Sequence, residues 1–568
     1  MKKYIPLLDW ISNYKKKDIS GDLSAGLTVG VMLIPQGMAY SMLAGLPPIY
    51  GLYASTIPLI LYAIFGTSRQ LAVGPVAMVA LLVASGVGAL AEIGSESFIG
   101  LAIMLSLMVG VIQLAMGVFK LGFLVNFLSH PVIAGFTSAA ALIIGFSQFK
   151  HLLGISIPRG KVHETIYNIY LNFGEINWNT VAVGVGAIAV IIILKRINKR
   201  IPSPLVVVVL GILAVWGLGL YEAGVKIVAD VPAGAPVFKL PTFSAESFRE
   251  LLPIALTISL VGFMESFAVA KAIQKKHKDY EISANQELIG LGVANIGGSF
   301  FQAFPTTGGF SRTAVNDQAG ARTGLASIIS AGLVIFTLIF LTDYFYYLPK
   351  AVLAAIILVA VYGLIDFKEM KHLWKTDRKD LSMFVITAVA TLVLGVEEGI
   401  AVGVGVSIIM LLIKVSYPHI AELGLEKKTG RFFNVNRHNS IEVDDETLIV
   451  RLDAQLFFAN TSFFQDKIQA MEAKRSNLKT VILDCSAVNG MDSSAVHALH
   501  DMVHDYHNRG IVFKMASVKG PIRDILKKAG LIEEIGNEHF HLSVEHAVEA
   551  VKGNHTATHD EVRLQTNV

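Results

Sequence analysis

Apolar segments long enough to cross a bilayer recur along most of this chain. A spanning helix needs about 17 to 25 consecutive apolar residues, and we count about fourteen such segments, several of them short or interrupted by Gly and Pro. They fall near residues 22–40, 49–66, 71–90, 98–119, 124–149, 179–194, 204–220, 250–270, 283–300, 308–320, 324–342, 350–364, 380–396 and 399–416. The pattern predicts a polytopic α-helical domain in a lipid bilayer over residues 22–417, preceded by a cytoplasmic N-terminal segment, residues 1–21.

Basic residues alternate between the loops in the way that the positive-inside rule requires. With the N-terminus inside, the loops predicted to be inside contain Lys195, Arg196, Lys199, Arg200, Lys271, Lys275, Lys276, Lys278, Lys368, Lys371, Lys375, Arg378 and Lys379. The opposite loops contain Glu92, Glu96, Asp343, Glu397 and Glu398. An even number of spans returns the chain to its starting side, so both termini are predicted to be cytoplasmic, in a multi-pass protein of the cell inner (cytoplasmic) membrane.

After about residue 420 the pattern changes to that of a water-soluble domain. Segments such as "TLIVRLDAQLFFAN", "LKTVILDCSAVNG" and "IVFKMASV" predict strands, whereas "DSSAVHALHDMVHDYHNRG" and "KGPIRDILKKAGL" predict helices. This alternation predicts a small α/β domain over residues 430–552. Residues 553–568 are polar and aperiodic, which predicts a disordered tail.

Composition narrows the class of protein further. Hydrophobic residues make up 53% of the 568 residues and the mean hydropathy is +0.58, which is typical of a membrane protein. The net charge of +3 and the lack of a basic stripe argue against nucleic acid as a partner. The single cysteine, Cys485, excludes a disulfide framework. The sequence contains no Walker loop, metal-ligand cluster or convincing nucleophile triad, so we expect neither an enzyme nor a metal or cofactor site.

Two spans are interrupted by Gly and Pro at mid-length, "QLAVGPVAMVALLV" and "PTTGGFSRTAV". They fall in corresponding positions of two sets of about seven spans, which we divide into repeats at about residues 22–200 and 201–417. Such a pair is typical of inverted repeats with a binding site at the bilayer midplane.

Each interruption allows a short helix to begin inside the membrane. Gly74 and Pro75 can precede one helix, and Gly308 and Gly309 can precede another that begins near Phe310. A helix N-terminus presents unpaired N–H groups and about half a positive charge, so two that face each other would form an anion site. The alternative is that these glycines only allow close helix packing.

Arg312 follows Ser311 at the start of the second short helix. An arginine near the bilayer centre costs at least about 2.5 to 3.5 kcal/mol on insertion scales, so it must face a cavity or a partner. Its guanidinium matches an oxyanion bidentately and keeps its charge. The alternative is a structural ion pair, for which Glu265 in "LVGFMESFAVAKA" is the obvious partner. Glu265 itself is either a permanent counter-ion or a carboxyl that binds and releases a proton, and its protonation would favour anion binding.

The first span contributes Gln36 and Tyr40. Residues four apart share a helix face, so the amide and the hydroxyl can point into one cavity. The same spacing is also ordinary for packing residues.

Together, "IPQGMAYSMLAGLPPIYGLYAS", "GTSRQLAVGPVAMVALLV", "GFMESFAVAKA" and "PTTGGFSRTAVNDQAG" resemble the sulfate permease (SulP) family of anion transporters. The segment "VILDCSAVNGMDSSAVHAL" resembles the STAS domain of those proteins. The resemblance covers nearly the whole chain. It implies fourteen spans in two inverted seven-span repeats, a core and a gate domain, elevator-like alternating access and a homodimer.

The resemblance also implies roles for individual residues. Carried over position by position, the anion site comprises Gln36, Tyr40, Val76, Ala77, Phe310, Ser311 and Arg312. Glu265 matches a proton-coupling carboxylate. This set favours uptake of sulfate with protons. The alternatives are uptake of bicarbonate with Na⁺, or an exchange of chloride, bicarbonate or a dicarboxylate.

The STAS-like segment departs from its family pattern at one position. Ala495 follows Asp492, Ser493 and Ser494, where such domains often have glycine. In phospho-regulated relatives a serine of this motif accepts phosphate, which makes the three residues candidate regulatory positions. The alternative is helix capping, for which Asp and Ser are preferred residues. A second class of function also stays open, a membrane-tethered signalling protein whose STAS domain binds a cytoplasmic protein.

Overall fold

A computed structural model describes residues 5–16, 18–123, 129–158, 160–198, 201–242, 244–277, 279–438 and 441–553. The chain divides into two compact units, Met1–Ser407 and Ile408–Val568. Each unit is described by itself below. The predicted tail after residue 553, and the basic loop residues Lys199, Arg200 and Lys278, lie outside the described residues.

Helices dominate the described chain as far as Ser416. In order, the elements are α1 Leu7–Ser12, α2 Asp18–Ala44, α3 Pro48–Tyr53, α4 Ile57–Phe65, β1 Val73–Gly74, α5 Ala77–Gly88, α6 Glu96–Val118, α7 His130–Leu153, α8 Val162–Leu171, α9 Trp178–Ile197, α10 Ser203–Gly217, α11 Ala245–Gln274, α12 Ala284–Ser299, β2 Thr307–Gly308, α13 Phe310–Gln318, α14 Leu325–Phe340, α15 Lys350–Tyr362, α16 Phe367–Thr376, α17 Arg378–Val393 and α18 Val396–Ser416.

Many of these helices can span a bilayer. In the parts of the chain that the structure describes, eight helical segments are long and apolar enough to cross a membrane, and three shorter apolar helices accompany them. Each apolar stretch predicted from the sequence coincides with a helix or a helix pair, although the one at 124–149 begins at His130 in the described residues. The prediction of a polytopic α-helical membrane protein is therefore confirmed.

The helices associate in two groups. The core group contains α2 to α6 and α11 to α14, with extensive packing of α6 on α12 and of α2 on α14. The gate group contains α7, α9, α10, α15 and α17. Each group draws helices from both halves of the chain, as inverted repeats require. The division into repeats at about residues 22–200 and 201–417 stays a prediction.

Two fully buried carboxylates hold loops of the core group in place. Asp22 accepts hydrogen bonds from the backbone N–H groups of Arg322 and Thr323 at 2.6 and 3.0 Å. Glu287 accepts from the backbone N–H of Thr67 at 2.7 Å and from the hydroxyl of Tyr62 at 2.6 Å. A buried carboxylate needs such donors to offset its lost hydration. Both residues therefore have structural roles that the hydrophobic pattern alone does not reveal.

The second unit contains an α/β domain. Its strands are β3 Ile420–Glu426, β4 Arg431–Asn434, β5 Ile441–Glu442, β6 Thr447–Leu452, β7 Thr480–Asp484, β8 Val512–Ala516 and β9 Phe540–His541. Its helices are α19 Thr461–Glu472, α20 Ser493–Asn508, α21 Gly520–Lys528, α22 Leu531–Ile535 and α23 Val544–Val551. The sheet order is β4-β3-β6-β7-β8-β9, with β5 beside β3 and parallel pairing from β6 to β9.

Alternating residues of the central strand supply both faces of this sheet. Val481 and Leu483 of β7 face the larger hydrophobic cluster, whereas Ile482 packs with Val544 and Ala547 of α23. This is the period of two expected of a strand. The predicted α/β domain is confirmed, but the segment 447–460 forms a strand only as far as Leu452, and β3 extends the sheet upstream of residue 430.

Candidate functional site

Two short strands of the core group, β1 before α5 and β2 before α13, pair with each other. β1 and β2 pair antiparallel, with Val73 opposite Gly308 and Gly74 opposite Thr307. Helix α5 follows β1 after its N-cap, Val76, and α13 follows β2 after its N-cap, Gly309. Neither helix has a side-chain cap, so the first N–H groups of both helices are not bonded to a capping side chain.

Both Gly/Pro interruptions lie immediately before a short helix. The sequence predicts that Gly74 and Pro75 precede the first short helix. The structure begins α5 at Ala77, after an extended Val76 with φ −130° and ψ 152°. Pro75 therefore precedes the helix, and its carbonyl oxygen is available to a partner outside the helix.

Side chains of the core group hold the extended segment before α13. Asn295 accepts from the backbone N–H of Thr306 at 2.8 Å and donates to its carbonyl oxygen at 3.0 Å. Ser266 accepts from the backbone N–H of Gly308 at 2.7 Å, and the hydroxyl of Thr307 donates to Gly262 O at 2.6 Å. Non-helical backbone at membrane depth is stable only where protein groups satisfy it in this way.

Arg312 is the third residue of α13 and is only 2% exposed. Its Nη1 donates to the carbonyl oxygen of Pro75 at 2.7 Å. Its Nε and Nη2 atoms are buried and have no hydrogen-bond partner. A buried charged group with unmet donors is costly, so a complementary acceptor would stabilise it. An oxyanion supplies that acceptor and also the opposite charge.

Gly309 lies in close contact with this guanidinium. A Cβ atom added at residue 309 would lie 2.8 Å from Nη2 and 2.9 Å from Cζ of Arg312. Any larger residue at position 309 would require this flexible end of the Arg312 side chain to shift.

A cavity of about 460 Å³ opens over the start of α13. Its lining contains every side chain for which an anion or proton role was predicted. These are Gln36, Tyr40, Val76, Ala77, Glu265, Phe310, Ser311 and Arg312. Gly309 also lines it, whereas Gly74, Pro75 and Gly308 lie outside the lining, in or beside the paired strands. The structure thus brings together residues that are up to 276 positions apart in the chain, from Gln36 to Arg312.

Glu265 lines the cavity without pairing with Arg312. Among the described residues no ion pair within 4.0 Å joins the two side chains. The structural ion pair that the sequence offered as an alternative is therefore not formed in this conformation.

Comparison with protein families decides the class of the molecule. Residues 19–387 match the model of the sulfate permease family, and residues 438–547 match that of the STAS domain. The chain belongs to the sulfate permease family. That family consists of transporters and not of enzymes, and the match confirms the resemblance found in the sequence motifs.

Relatives of this sulfate permease family member match over nearly the whole of this chain and more than four fifths of their own lengths. This chain is 40% identical over 564 residues to sulfate transporter 4.1, chloroplastic, of Arabidopsis thaliana. The match covers 96% of this chain and 82% of the relative. This chain is 32% identical over 566 residues to high affinity sulfate transporter 2 of Stylosanthes hamata, covering 96% and 85%.

Solved structures show the same architecture. The murine Slc26a9 anion transporter in the inward-facing state superposes with a TM-score of 0.89 at 27% identity, covering 97% of this chain and 94% of that one. The transmembrane domain of the cyanobacterial bicarbonate transporter BicA superposes with a TM-score of 0.60 at 23% identity, covering 70% and 98%. The second likeness concerns the fold alone.

The STAS motif of this family member forms the start of a helix. Asp492 is the N-cap of α20, and its carboxylate accepts from the backbone N–H groups of Ala495 and Phe458, both at 2.9 Å. Desolvation raises the pKa of Asp492, but the backbone hydrogen bonds together outweigh this effect and lower the pKa below its usual value. Ser493 and Ser494 are exposed in the first turn. Asp492 thus caps the helix, while a regulatory role for the three residues stays a prediction.

Sequence reasoning missed some features of the site. The carbonyl oxygen of Pro75 has no side-chain signature, so its bond to Arg312 could not be predicted. Lys195 and Gln318 also line the cavity. Lys195 was counted only as part of a basic loop, although its place at the end of an apolar helix could have marked it. Among the described residues no group of three or more metal-ligating side chains occurs.

Proposed function

We propose that this chain is a secondary transporter of inorganic anions, with sulfate as its substrate and protons as the coupling ion. The observation that carries the proposal is Arg312, a buried guanidinium with two nitrogen atoms unpaired at the start of a half-helix. The N-terminus of α13, and that of α5 beside it, add partial positive charge without any titratable group.

The choice of sulfate has two supports. The relatives at 40% and 32% identity are named sulfate transporters and align along nearly the whole chain. A guanidinium with two unmet donors also suits the several acceptor oxygens of a tetrahedral oxyanion.

Proton coupling is supported by Glu265. Its carboxyl lines the same cavity as Arg312 but is not ion-paired with it. An ionised Glu265 would repel the anion, and a protonated one would not. Binding of a proton and of the anion would then favour each other, and by thermodynamic reciprocity each would raise the affinity for the other.

The division into two helix groups supports an elevator-like mechanism. Both half-helices belong to the core group, whereas the opposite wall of the cavity comes from α9, α10 and α15 of the gate group. Movement of the core group against the gate group would carry the site as one body. We further propose a homodimer in the cell inner membrane with both termini in the cytoplasm.

Purified protein in proteoliposomes tests the proposal with radiolabelled sulfate. We expect uptake that an inward proton gradient stimulates and that an inward Na⁺ gradient at equal pH does not. Absence of proton-stimulated sulfate uptake, together with Na⁺-driven bicarbonate uptake, would contradict the proposal.

A variant at Glu265 separates coupling from transport. Glu265→Gln mimics the protonated carboxyl, so sulfate exchange should persist while its stimulation by the proton gradient is lost. If Glu265→Gln kept the full response to the gradient, Glu265 would not be the coupling group.

A further inference from the structure

Lys195 brings a second positive charge to the cavity. It lies in the last turn of α9, and its side chain lines the same 460 Å³ cavity as Arg312. In the described part of the chain its ammonium group has neither an ion-pair partner nor a hydrogen-bond acceptor. The side chain of Lys195 is exposed to solvent, so its charge is accessible to an anion that enters the cavity.

The charges of the cavity suit a divalent anion. Its described lining contains four titratable or permanently charged side chains, those of Tyr40, Lys195, Glu265 and Arg312. With Tyr40 neutral, the lysine and the arginine give two positive charges. An ionised Glu265 reduces the net charge to +1, and a protonated Glu265 leaves it at +2.

We propose that Lys195 supplies the second positive charge that lets this cavity hold a divalent oxyanion together with a proton on Glu265. The inference rests on the proposed function and deepens it. A sulfate dianion and a protonated Glu265 would bring the cavity to neutrality. A monovalent anion would reach neutrality with Glu265 ionised and would need no proton.

The position of Lys195 also determines the side of the cavity from which its charge acts on the anion. Lys195 belongs to the gate group and Arg312 to the core group. Movement between the groups would change the distance from Lys195 to the bound anion, while Arg312 would travel with it. Lys195 therefore acts as the recruiting charge on the side where the C-terminal end of α9 borders the cavity.

Lys195→Gln tests this role against a matched control, Arg196→Gln. Arg196 is the next residue of the same last turn, also basic and exposed, and it does not line the cavity. In vesicles sorted so that this end of α9 faces the medium, Lys195→Gln should raise the apparent KM for sulfate about fivefold, as expected for one solvent-accessible charge pair. Vmax should change little, and the effect should shrink at high ionic strength. Lys195→Arg and Arg196→Gln should resemble the wild type.

Chemical modification gives a second readout that does not depend on one substitution. The chain's one cysteine, Cys485, is buried, so Lys195→Cys introduces a thiol that reagents can reach selectively. A cationic aminoethyl methanethiosulfonate should form a mixed disulfide, release methanesulfinate and restore the low KM. An anionic sulfonatoethyl reagent should raise the KM further.

The outcomes separate this inference from the proposed function. If the wild type takes up no sulfate, the proposed function fails, and the inference with it. If the wild type transports sulfate but Lys195→Gln leaves the KM unchanged, or Arg196→Gln raises it equally, only the role of Lys195 is overturned. Equal effects of the cationic and anionic reagents on Lys195→Cys would overturn it as well.

Discussion

At the scale of single residues, the site depends on one guanidinium that the protein leaves incompletely bonded. Arg312 donates to Pro75 through Nη1, while Nε and Nη2 have no partner. The neighbouring backbone is shaped around this group, because the added Cβ of any other residue at position 309 would press on it. Small changes beside Arg312 should therefore affect transport more than folding.

Gly309→Ala tests this close approach. The backbone at Gly309 has φ −93° and ψ 127°, which alanine adopts without strain, so the chain should fold normally. The new methyl group would displace the guanidinium, and the apparent KM for sulfate should rise about tenfold, equivalent to about 1.4 kcal/mol of binding free energy.

The matched control for this substitution is Gly332→Ala. Gly332 lies in α14, and an added Cβ would meet no atom within 4 Å. Its transport should equal that of the wild type. Equal kinetics of Gly309→Ala and the wild type would show that the position of the guanidinium does not matter for binding.

Individual site residues could be predicted from the sequence where their chemistry conflicts with their surroundings. Arg312 and Glu265 stand out as charges in apolar segments, and the paired glycines mark the helix break. Pro75 as a hydrogen-bond acceptor could not be found in this way, because every residue has a carbonyl group. Lys195 was missed since lysines at the ends of spans are common.

At the scale of elements, the least regular segment is the one that the protein supports most densely. The segment before α13 lacks helical hydrogen bonds, and Asn295 of α12 replaces them at Thr306. Asn295 is fully buried and also donates to Oε1 of Gln113 at 3.1 Å. These bonds join α6, α12 and β2 into one support for the start of α13.

Asn295→Ala should weaken this support strongly. It leaves the backbone N–H and carbonyl of Thr306, and Oε1 of Gln113, without their partner in a buried site. We expect a loss of about 2 to 4 kcal/mol in the free energy of unfolding. Thermal unfolding of the detergent-solubilised chain would show this as a clear decrease in Tm.

Asn172→Ala is the control variant for Asn295→Ala. Asn172 follows α8, is only partly buried, and its amide donates to Asn168 O at 2.8 Å. The substitution Asn172→Ala should lower the free energy of unfolding by less than about 1 kcal/mol. A similar Tm for both variants would contradict the structural role assigned to Asn295.

Elements with a strong hydrophobic signal were predicted well, and those without one were not. The spanning helices and the α20 helix appear in the sequence as long periodic segments. Helices α8 and α16 were not predicted, since neither forms a continuous apolar run. Helix α19 was not predicted, and the segment 447–460 was interpreted as a strand along its whole length although β6 ends at Leu452.

At the scale of the whole molecule, the chain combines a helical membrane unit with a STAS domain. The order of the sequence motifs predicted both units and their family. The start of the second unit's sheet was not predicted, because its first strand begins at Ile420, upstream of residue 430. Pairing of β3 with β6 determines this limit, and it leaves no local signal.

The pH dependence of the STAS domain should reflect Asp492. Because its folded-state pKa is lowered by backbone hydrogen bonds, it stabilises the start of α20 at pH values above its unfolded pKa of about 3.9. This stabilisation is lost as the pH falls through the folded-state pKa. Hydrogen exchange of the α20 peptide in the full chain should therefore be faster in Asp492→Asn than in the wild type at pH 7.

The difference between these two proteins should diminish below about pH 4, after correction for intrinsic exchange rates. A difference that persists unchanged at acid pH would mean that the charge of Asp492 does not stabilise the helix.

The central claim is that an oxyanion binds at the start of α13 against Arg312. Selenate is a close chemical analogue of sulfate, and selenium can be located by its anomalous scattering. A crystal structure with selenate should show the strongest non-protein anomalous peak inside the cavity, with an oxygen within hydrogen-bonding distance of Nε or Nη2 of Arg312. A bound selenate elsewhere, with this cavity containing none, would contradict the account.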